Sequence, residues 1–179
     1  IVYRSSNNGN NWENVLNMIK QANSFAISGN NIFVGGDGDS IKSNIFLSTN
    51  NGLNWTLKAI PNVRGDLRLK IYGNTLYAVV NQWGIYSSIN NGSSWSPVWV
   101  VDMQLHNLVI SGPNMLVIGE QLYLSTNNGA TWDTIKTGGL PPNIQGFLSL
   151  EVNGGNVYMG VYPQGLYKST NNGYNWSNI

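Results

Sequence analysis

The chain has 179 residues, 41% of them hydrophobic, enough for a proper core in one domain. Only 9% of residues are charged, the formal net charge is +1, and no run of Lys or Arg occurs, so a nucleic-acid partner is excluded on composition. The absence of cysteine excludes disulfides and thiolate metal sites, and no stretch has the apolar length needed to span a bilayer. Solubility rests instead on amides and hydroxyls, with asparagine supplying roughly one residue in six.

The first element is a hairpin, Val2 to Val15, built around Tyr3–Trp12. Glu13 to Lys20 reads as faintly helical but is too short and too weakly periodic to change the class. Phe25–Ile27 then leads through Gly29–Asn30–Asn31 to Ile32–Val34, followed by a second turn, Phe46–Trp55, that resembles the first. The same succession returns three times. Leu67–Ile71, Gly73–Asn74 and Leu76–Val80 precede Tyr86–Trp95. Leu108–Ile110, Gly112–Pro113–Asn114 and Met115–Ile118 precede Tyr123–Trp132. Leu148–Val152, Asn153–Gly154–Gly155 and Val157–Val161 precede Tyr167–Trp176. Apolar alternation broken by Gly/Asn turns predicts antiparallel hairpins.

The recurring turn reads aromatic-x-Ser-x-Asn-Asn-Gly-x-x-Trp. Its glycines at 9, 52, 92, 129 and 173 are separated by 43, 40, 37 and 44 residues. A period near 40 without helical patterning, with four strands A to D per unit, predicts an all-β chain: a β-propeller of four-stranded antiparallel blades. Strand C ends in the aromatic and the Ser; strand D begins at the Trp. The repeats run about 1–20, 21–63, 64–103, 104–143 and 144–179 within a single propeller domain or propeller segment. That makes four complete blades plus one C–D half blade. The chain opens at Ile1 in the middle of a repeat, so a processed or excised piece of a larger ring is expected, or an irregular five-fold closure with one thin blade. An open arc would leave apolar blade faces that invite self-association.

Within each turn the residue types suit a bend. Asn7, Asn50, Asn90, Asn127 and Asn171 are expected to accept a backbone N–H two residues on. Gly9, Gly52, Gly92, Gly129 and Gly173 take the left-handed position. Ser5, Ser48, Ser88, Ser125 and Ser169 bond the turn from the other side, and Trp12, Trp55, Trp95, Trp132 and Trp176 cover it. Five equivalent copies argue for a structural staple, since a catalytic site ordinarily occurs once.

Ser-x-Asn-x-Gly-x-x-Trp resembles the Asp-box, or BNR repeat, of sialidases, xyloglucanase-type glycoside hydrolases, the sortilin ectodomain and photosystem II stability factors. Every copy here carries Asn where the family usually has Asp, which keeps the capping acceptor and loses the charge. The resemblance implies a propeller whose repeated hairpins lie at the blade periphery, away from the ligand face. The Asn-rich wording is similar to that of secreted bacterial repeat proteins, which implies a secreted or cell-surface location.

A sialidase needs three converging arginines; the three here are Arg4, Arg64 and Arg68, two of them in one repeat. No carboxylate pair sits in a distinctive motif, His106 is the sole histidine, and no Ser, Lys or Tyr stands in a catalytic frame. The expectation is a non-catalytic interaction module presenting loops to a protein or glycan partner. The alternative is a fragment of a carbohydrate-active propeller enzyme whose active site lies elsewhere. The B–C and D–A loops, opposite the Asn-Asn-Gly turns, form the expected binding face. Its candidates are Arg64, Asp66, Trp83, Asp102, His106, Glu120, Tyr162 and Gln164. Trp83 and Tyr162 are of a kind to stack on a sugar or peptide, or to pack between blades. Arg64 and Asp66 suit a polar ligand or a local ion pair. No cofactor is expected; Asp37 and Asp39 offer hard oxygens to Ca²⁺ but lack a distal bidentate Glu, so an ordinary solvated loop is the competing reading.

Overall fold

A computed structural model describes residues 1–17, 21–37, 43–135, 138–141 and 146–179, with only the backbone at Asp37. The described residues form strands and turns without a helix. Two compact units divide at Asp102/Met103.

The first unit, Ile1–Asp102, opens with a two-stranded hairpin, β1 (Val2–Arg4) and β2 (Glu13–Leu16). Glu13–Leu16 is therefore extended, and the remainder of the faintly helical stretch lies largely outside the described residues. Next comes an antiparallel meander of β3 (Gln21–Ser28), β4 (Asn31–Asp37), β5 (Ser43–Ser48) and β6 (Thr56–Ala59). A second meander follows: β7 (Leu67–Tyr72), β8 (Thr75–Val80), β9 (Gly84–Ser88) and β10 (Ser96–Val100). The second unit, Met103–Ile179, holds two more. One is β11 (Leu108–Ser111), β12 (Asn114–Ile118), β13 (Leu122–Ser125) and β14 (Asp133–Thr134). The other is β15 (Gly146–Asn153), β16 (Asn156–Tyr162), β17 (Gly165–Ser169) and β18 (Ser177–Asn178).

Each A–B connection is a two-residue hairpin loop, with pairs such as Ser28↔Asn31 and Asn153↔Asn156 closing it. The first loop residue is glycine at positive φ in all four (Gly29 58°, Gly73 57°, Gly112 59°, Gly154 57°). That loop length matches the right-handed twist of the flanking strands. Burial rises on the second strand and falls on the fourth. In β12, Met115 to Ile118 are all buried, because both faces of a middle strand are covered. The fourth strands β14 and β18 are two residues long and exposed, a polar edge that offers little template for further pairing.

The cores lie between neighbouring sheets of the same unit. Phe33, Ile45, Leu67, Leu76 and Val80 pack between the β3–β6 and β7–β10 sheets. Val34, one residue from Phe33, points the other way and joins Val2, Leu16 and Phe46 under the β1–β2 hairpin. In the second unit Leu116, Leu124, Val157 and Met159 pack between its two sheets. Gly35 is required at its contact, since a Cβ there would lie 2.3 Å from Leu67 Cδ1. Polar side chains register the sheets. Leu69 N–H donates to Ser24 Oγ (3.0 Å), and Asn107 Nδ2 donates to Leu150 O (3.0 Å), 43 residues away.

Candidate functional site

The repeated turn has one geometry five times. The serine Oγ accepts the glycine N–H at 2.8 Å from Gly9, Gly52, Gly92 and Gly129, and at 2.9 Å from Gly173. The glycines have φ between 77° and 92°, and the second Asn of each turn (Asn8, Asn51, Asn91, Asn128, Asn172) is left-handed too, at 55–58°. The first Asn departs from expectation. Its Oδ1 accepts an N–H four residues on, as Asn127 does from Thr131 (2.9 Å), and not two on. The N–H two residues on belongs to the glycine and is already given to serine, so the amide spans the whole bend. The Trp indole N–H donates to the glycine carbonyl in four copies, at 3.0 Å for Trp12, 3.1 Å for Trp55, 3.0 Å for Trp132 and 2.8 Å for Trp176. Trp95 Nε1 has no such partner.

Burial of these tryptophans is graded: Trp176 is 5% exposed, Trp55, Trp95 and Trp132 are half-buried, and Trp12 is 64% exposed. The turns also stitch adjacent sheets. Arg4, ion-paired with Glu13, donates to Asn51 O, and the Lys58 stem lies 3.5 Å from a Cβ built at Gly92. Leu116 and Ile135 lie 3.0 and 3.2 Å from one built at Gly173.

At the opposite end of the first unit an open groove of about 420 Å³ is lined by Gln82, Trp83, Val100, Val101 and Asp102. Its geometry starts in the β8–β9 loop. Trp83 N–H donates to Val80 O (3.1 Å), closing a tight turn whose third residue, Gln82, has φ 65°. That position ordinarily takes Gly or Asn. Gly84 (φ 113°) follows, and a Cβ on it would lie 1.9 Å from Trp99 O, so only glycine lets β10 come this close. Tyr86 Oη donates to Trp83 O (3.4 Å), and burial holds the Tyr86 phenol above its ordinary pKa. Trp83 is left 37% exposed beside the exposed Val100 and Asp102.

Two of the eight face candidates, Trp83 and Asp102, thus share one groove. Asp66 lies next to it, since its carbonyl accepts Asn81 N–H (3.0 Å). Its carboxylate pairs with Arg68 at 3.2 Å and accepts from Asn23; Arg64 is exposed and makes no ion pair among the described residues, so the local pair expected between Arg64 and Asp66 is replaced by Arg68–Asp66. In the second unit, His106 is exposed while its N–H donates to Ile118 O (2.8 Å), and Glu120 is exposed in a turn closed by Gly119 N–H to Gln121 O (2.9 Å). Tyr162 is exposed; Gln164 is half-buried and its carbonyl accepts Asn178 Nδ2 (3.4 Å). Asp39 lies outside the described residues, and Asp37 ends β4 opposite Ser43, not within a loop. Gln82, Val100 and Val101 were absent from the sequence candidates; the signal that points to them is Trp83 followed by Gly84, an aromatic held up by a residue without a side chain.

A second groove, about 220 Å³, lies between the β1–β2 hairpin and β3–β4. Val2, Trp12, Val15, Phe25, Ile27 and Ile32 line it, with Phe25 53% and Ile27 64% exposed. Among the described residues β1 pairs with β2 alone, whereas every other strand C has a strand B beside it.

No protein-family model matches the chain, and no curated protein matches it. Solved structures do. A GH74 xyloglucanase from Xanthomonas campestris superimposes with a TM-score of 0.76 at 16% identity, over 99% of this chain and 34% of that one. YCF48 bound to D1 peptide matches with a TM-score of 0.70 at 17% identity, over 95% and 57%. YCF48 from Cyanidioschyzon merolae matches at 0.69 and 13%, over 98% and 63%. The chain thus spans from about a third to under two thirds of these structures. The fold is a β-propeller of four-stranded antiparallel blades, with four complete blades and one half blade among the described residues.

Proposed function

We propose that this chain is a non-catalytic binding module of a secreted or surface-exposed bacterial protein, and that its loop face receives a protein or glycan partner. The observation that carries the reading is the groove in which Trp83, Val100 and Asp102 are exposed together. An indole face flanked by an amide and a carboxylate suits a sugar ring or an extended peptide, both of which join an apolar surface to hydrogen-bonding edges. A propeller of the same fold, YCF48, is described bound to a D1 peptide, which supports a peptide in that role. Among the described residues Asp102 is the one carboxylate lining the groove, and a two-carboxylate hydrolase would need a companion about 5–9.5 Å away. The repeated turn is read as an Asn variant of the Asp-box, supported by the Ser, Asn and Trp hydrogen bonds that recur in its copies.

The second reading, part of a carbohydrate-active enzyme, is favoured by the match of 99% of this chain within 34% of a xyloglucanase. Glycan and peptide arrays probed with the purified chain and with Trp83→Ala separate the two. Ligands lost in the variant at unchanged melting temperature support the module. Binding undiminished by the variant, or cleavage of a bound glycan, overturns it.

A second copy of the chain is the other proposed partner, at the apolar groove beside Phe25 and Ile27. Light scattering should show mass rising with concentration, and Phe25→Ser with Ile27→Ser should abolish the rise. A monomer at every concentration overturns this part.

A further inference from the structure

The sequence contains six Asn-Gly pairs, the dipeptide most prone to spontaneous loss of the Asn side-chain amide. Five are in the repeated turns: Asn8, Asn51, Asn91, Asn128 and Asn172, each followed by glycine. The sixth is Asn153–Gly154, where the last residue of β15 enters the hairpin loop to β16. In the reaction the glycine backbone nitrogen gives up its proton and adds to Asn Cγ. Ammonia leaves, a five-membered succinimide closes, and water opens it at either carbonyl to give Asp or isoaspartate. The net change is amide plus water to carboxylate plus ammonia, with no other reactant.

The glycine nitrogen must therefore be free to lose its proton and to swing toward the Asn side chain. In the repeated turns it is not. Each glycine N–H is held at 2.8–2.9 Å by the motif serine. Ser48, Ser88, Ser125 and Ser169 are themselves buried, so breaking the bond leaves a buried oxygen with only the long Asn N–H at 3.4 Å to accept from. Asn153 is in the opposite situation. It is exposed, Gly154 is exposed, and the Gly154 N–H has no hydrogen-bond partner among the described residues. Nothing lies within 4 Å of a Cβ built on Gly154.

We propose that Asn153 is the deamidation site of this chain, and that the motif serine acts as a chemical guard on the Asn-Gly pair as well as a turn cap. Modification at Asn153 takes the formal net charge from +1 to zero. Its isoaspartate product puts an extra backbone carbon at Asn153, the strand residue whose pairing with Asn156 closes the two-residue loop. Asn8 is the least guarded motif copy, because Ser5 is half-buried and its turn is exposed.

Incubation of the intact chain in mildly alkaline buffer, with peptide mapping by mass spectrometry and isoaspartate detection over time, gives a rate for each pair. Asn153 should react about tenfold or more faster than Asn51, Asn91, Asn128 and Asn172, the factor corresponding to one lost buried hydrogen bond. Asn8 should fall between. In urea the six rates should converge. Ser125→Ala should accelerate Asn128 while Asn51, Asn91 and Asn172 in the same sample stay unchanged. Should that variant unfold and expose every turn, Ser5→Ala read at Asn8 takes its place. The proposal is overturned if Asn153 reacts no faster than the guarded pairs, if the order persists in urea, or if removal of the serine leaves the adjacent rate unchanged.

Discussion

Trp12 and Trp176 occupy the same position of the same turn and donate the same hydrogen bond, yet one is 64% exposed and the other 5%. Replacing each with alanine separates the worth of the bond from the worth of burial. An indole side chain buries roughly 200 Å² when fully covered, worth about 5 kcal/mol at 25 cal/mol per Å². Trp176 lies among the buried residues shared by the β11–β14 and β15–β18 sheets, so Trp176→Ala should cost roughly 3–5 kcal/mol, typical of large-to-small core changes. Trp12 hides about a third of its surface, so Trp12→Ala should cost roughly 1–2 kcal/mol. Urea titration followed by circular dichroism, which does not depend on the deleted fluorophore, yields both values. Equal costs at the two positions would refute the reasoning and assign the stabilisation to the indole–carbonyl bond.

Gly84→Ala should lower stability by roughly 2–6 kcal/mol, from the 1.9 Å approach to Trp99 O together with φ 113°, read as a fall in melting temperature. Gln82→Gly should stabilise by roughly 0.5–1 kcal/mol, the left-handed strain relieved less the added chain entropy, as measured by denaturant midpoint. The Tyr86 phenol, its pKa raised by burial, contributes stability that is fully present below the unfolded value near 10 and lost as pH rises through the folded value. Denaturant midpoints taken across that alkaline range should fall more steeply for the wild type than for Tyr86→Phe, with Tyr77 supplying the remaining slope.

The turns were legible because their chemistry is local: a serine, two asparagines and a glycine within five residues close the bend by themselves. The meander order was legible for a related reason, since Gly-Asn and Gly-Gly loops two residues long leave no alternative to antiparallel neighbours. What escaped the sequence depends on neighbours beyond the repeat. The Trp176 exposure is set partly by residues 138–139, where Gly138 exchanges hydrogen bonds with Tyr174 and Trp176. Among the described residues Trp12 has no such cover. The first asparagine's partner was misplaced by two residues because the serine had already taken the nearer N–H. Of the loop candidates, Trp83 and Asp102 converge only because Gly84 lets β10 lie against β9, a contact no single repeat announces.

Most side-chain locks between sheets reach about one repeat along the chain, while Asn31 to Asn91 reaches 60 residues. Ser24 to Leu67 and Asn107 to Leu150 span 43 residues, Arg4 to Asn51 spans 47, and Lys58 to Ser93 spans 35. Within each unit, the locks among the described residues tie a sheet to its immediate neighbour. Recombination that adds or removes one whole repeat leaves the locks that end on backbone carbonyls with a carbonyl to meet, whereas the Ser93 hydroxyl gives way to Asn10, Leu53, Ala130 or Tyr174 at the same place in the other turns. A crossover inside a repeat leaves half a sheet and strands its locks. Tandem copies therefore let this chain change length in whole-repeat steps, a unit on which gene duplication can act without first redesigning an interface.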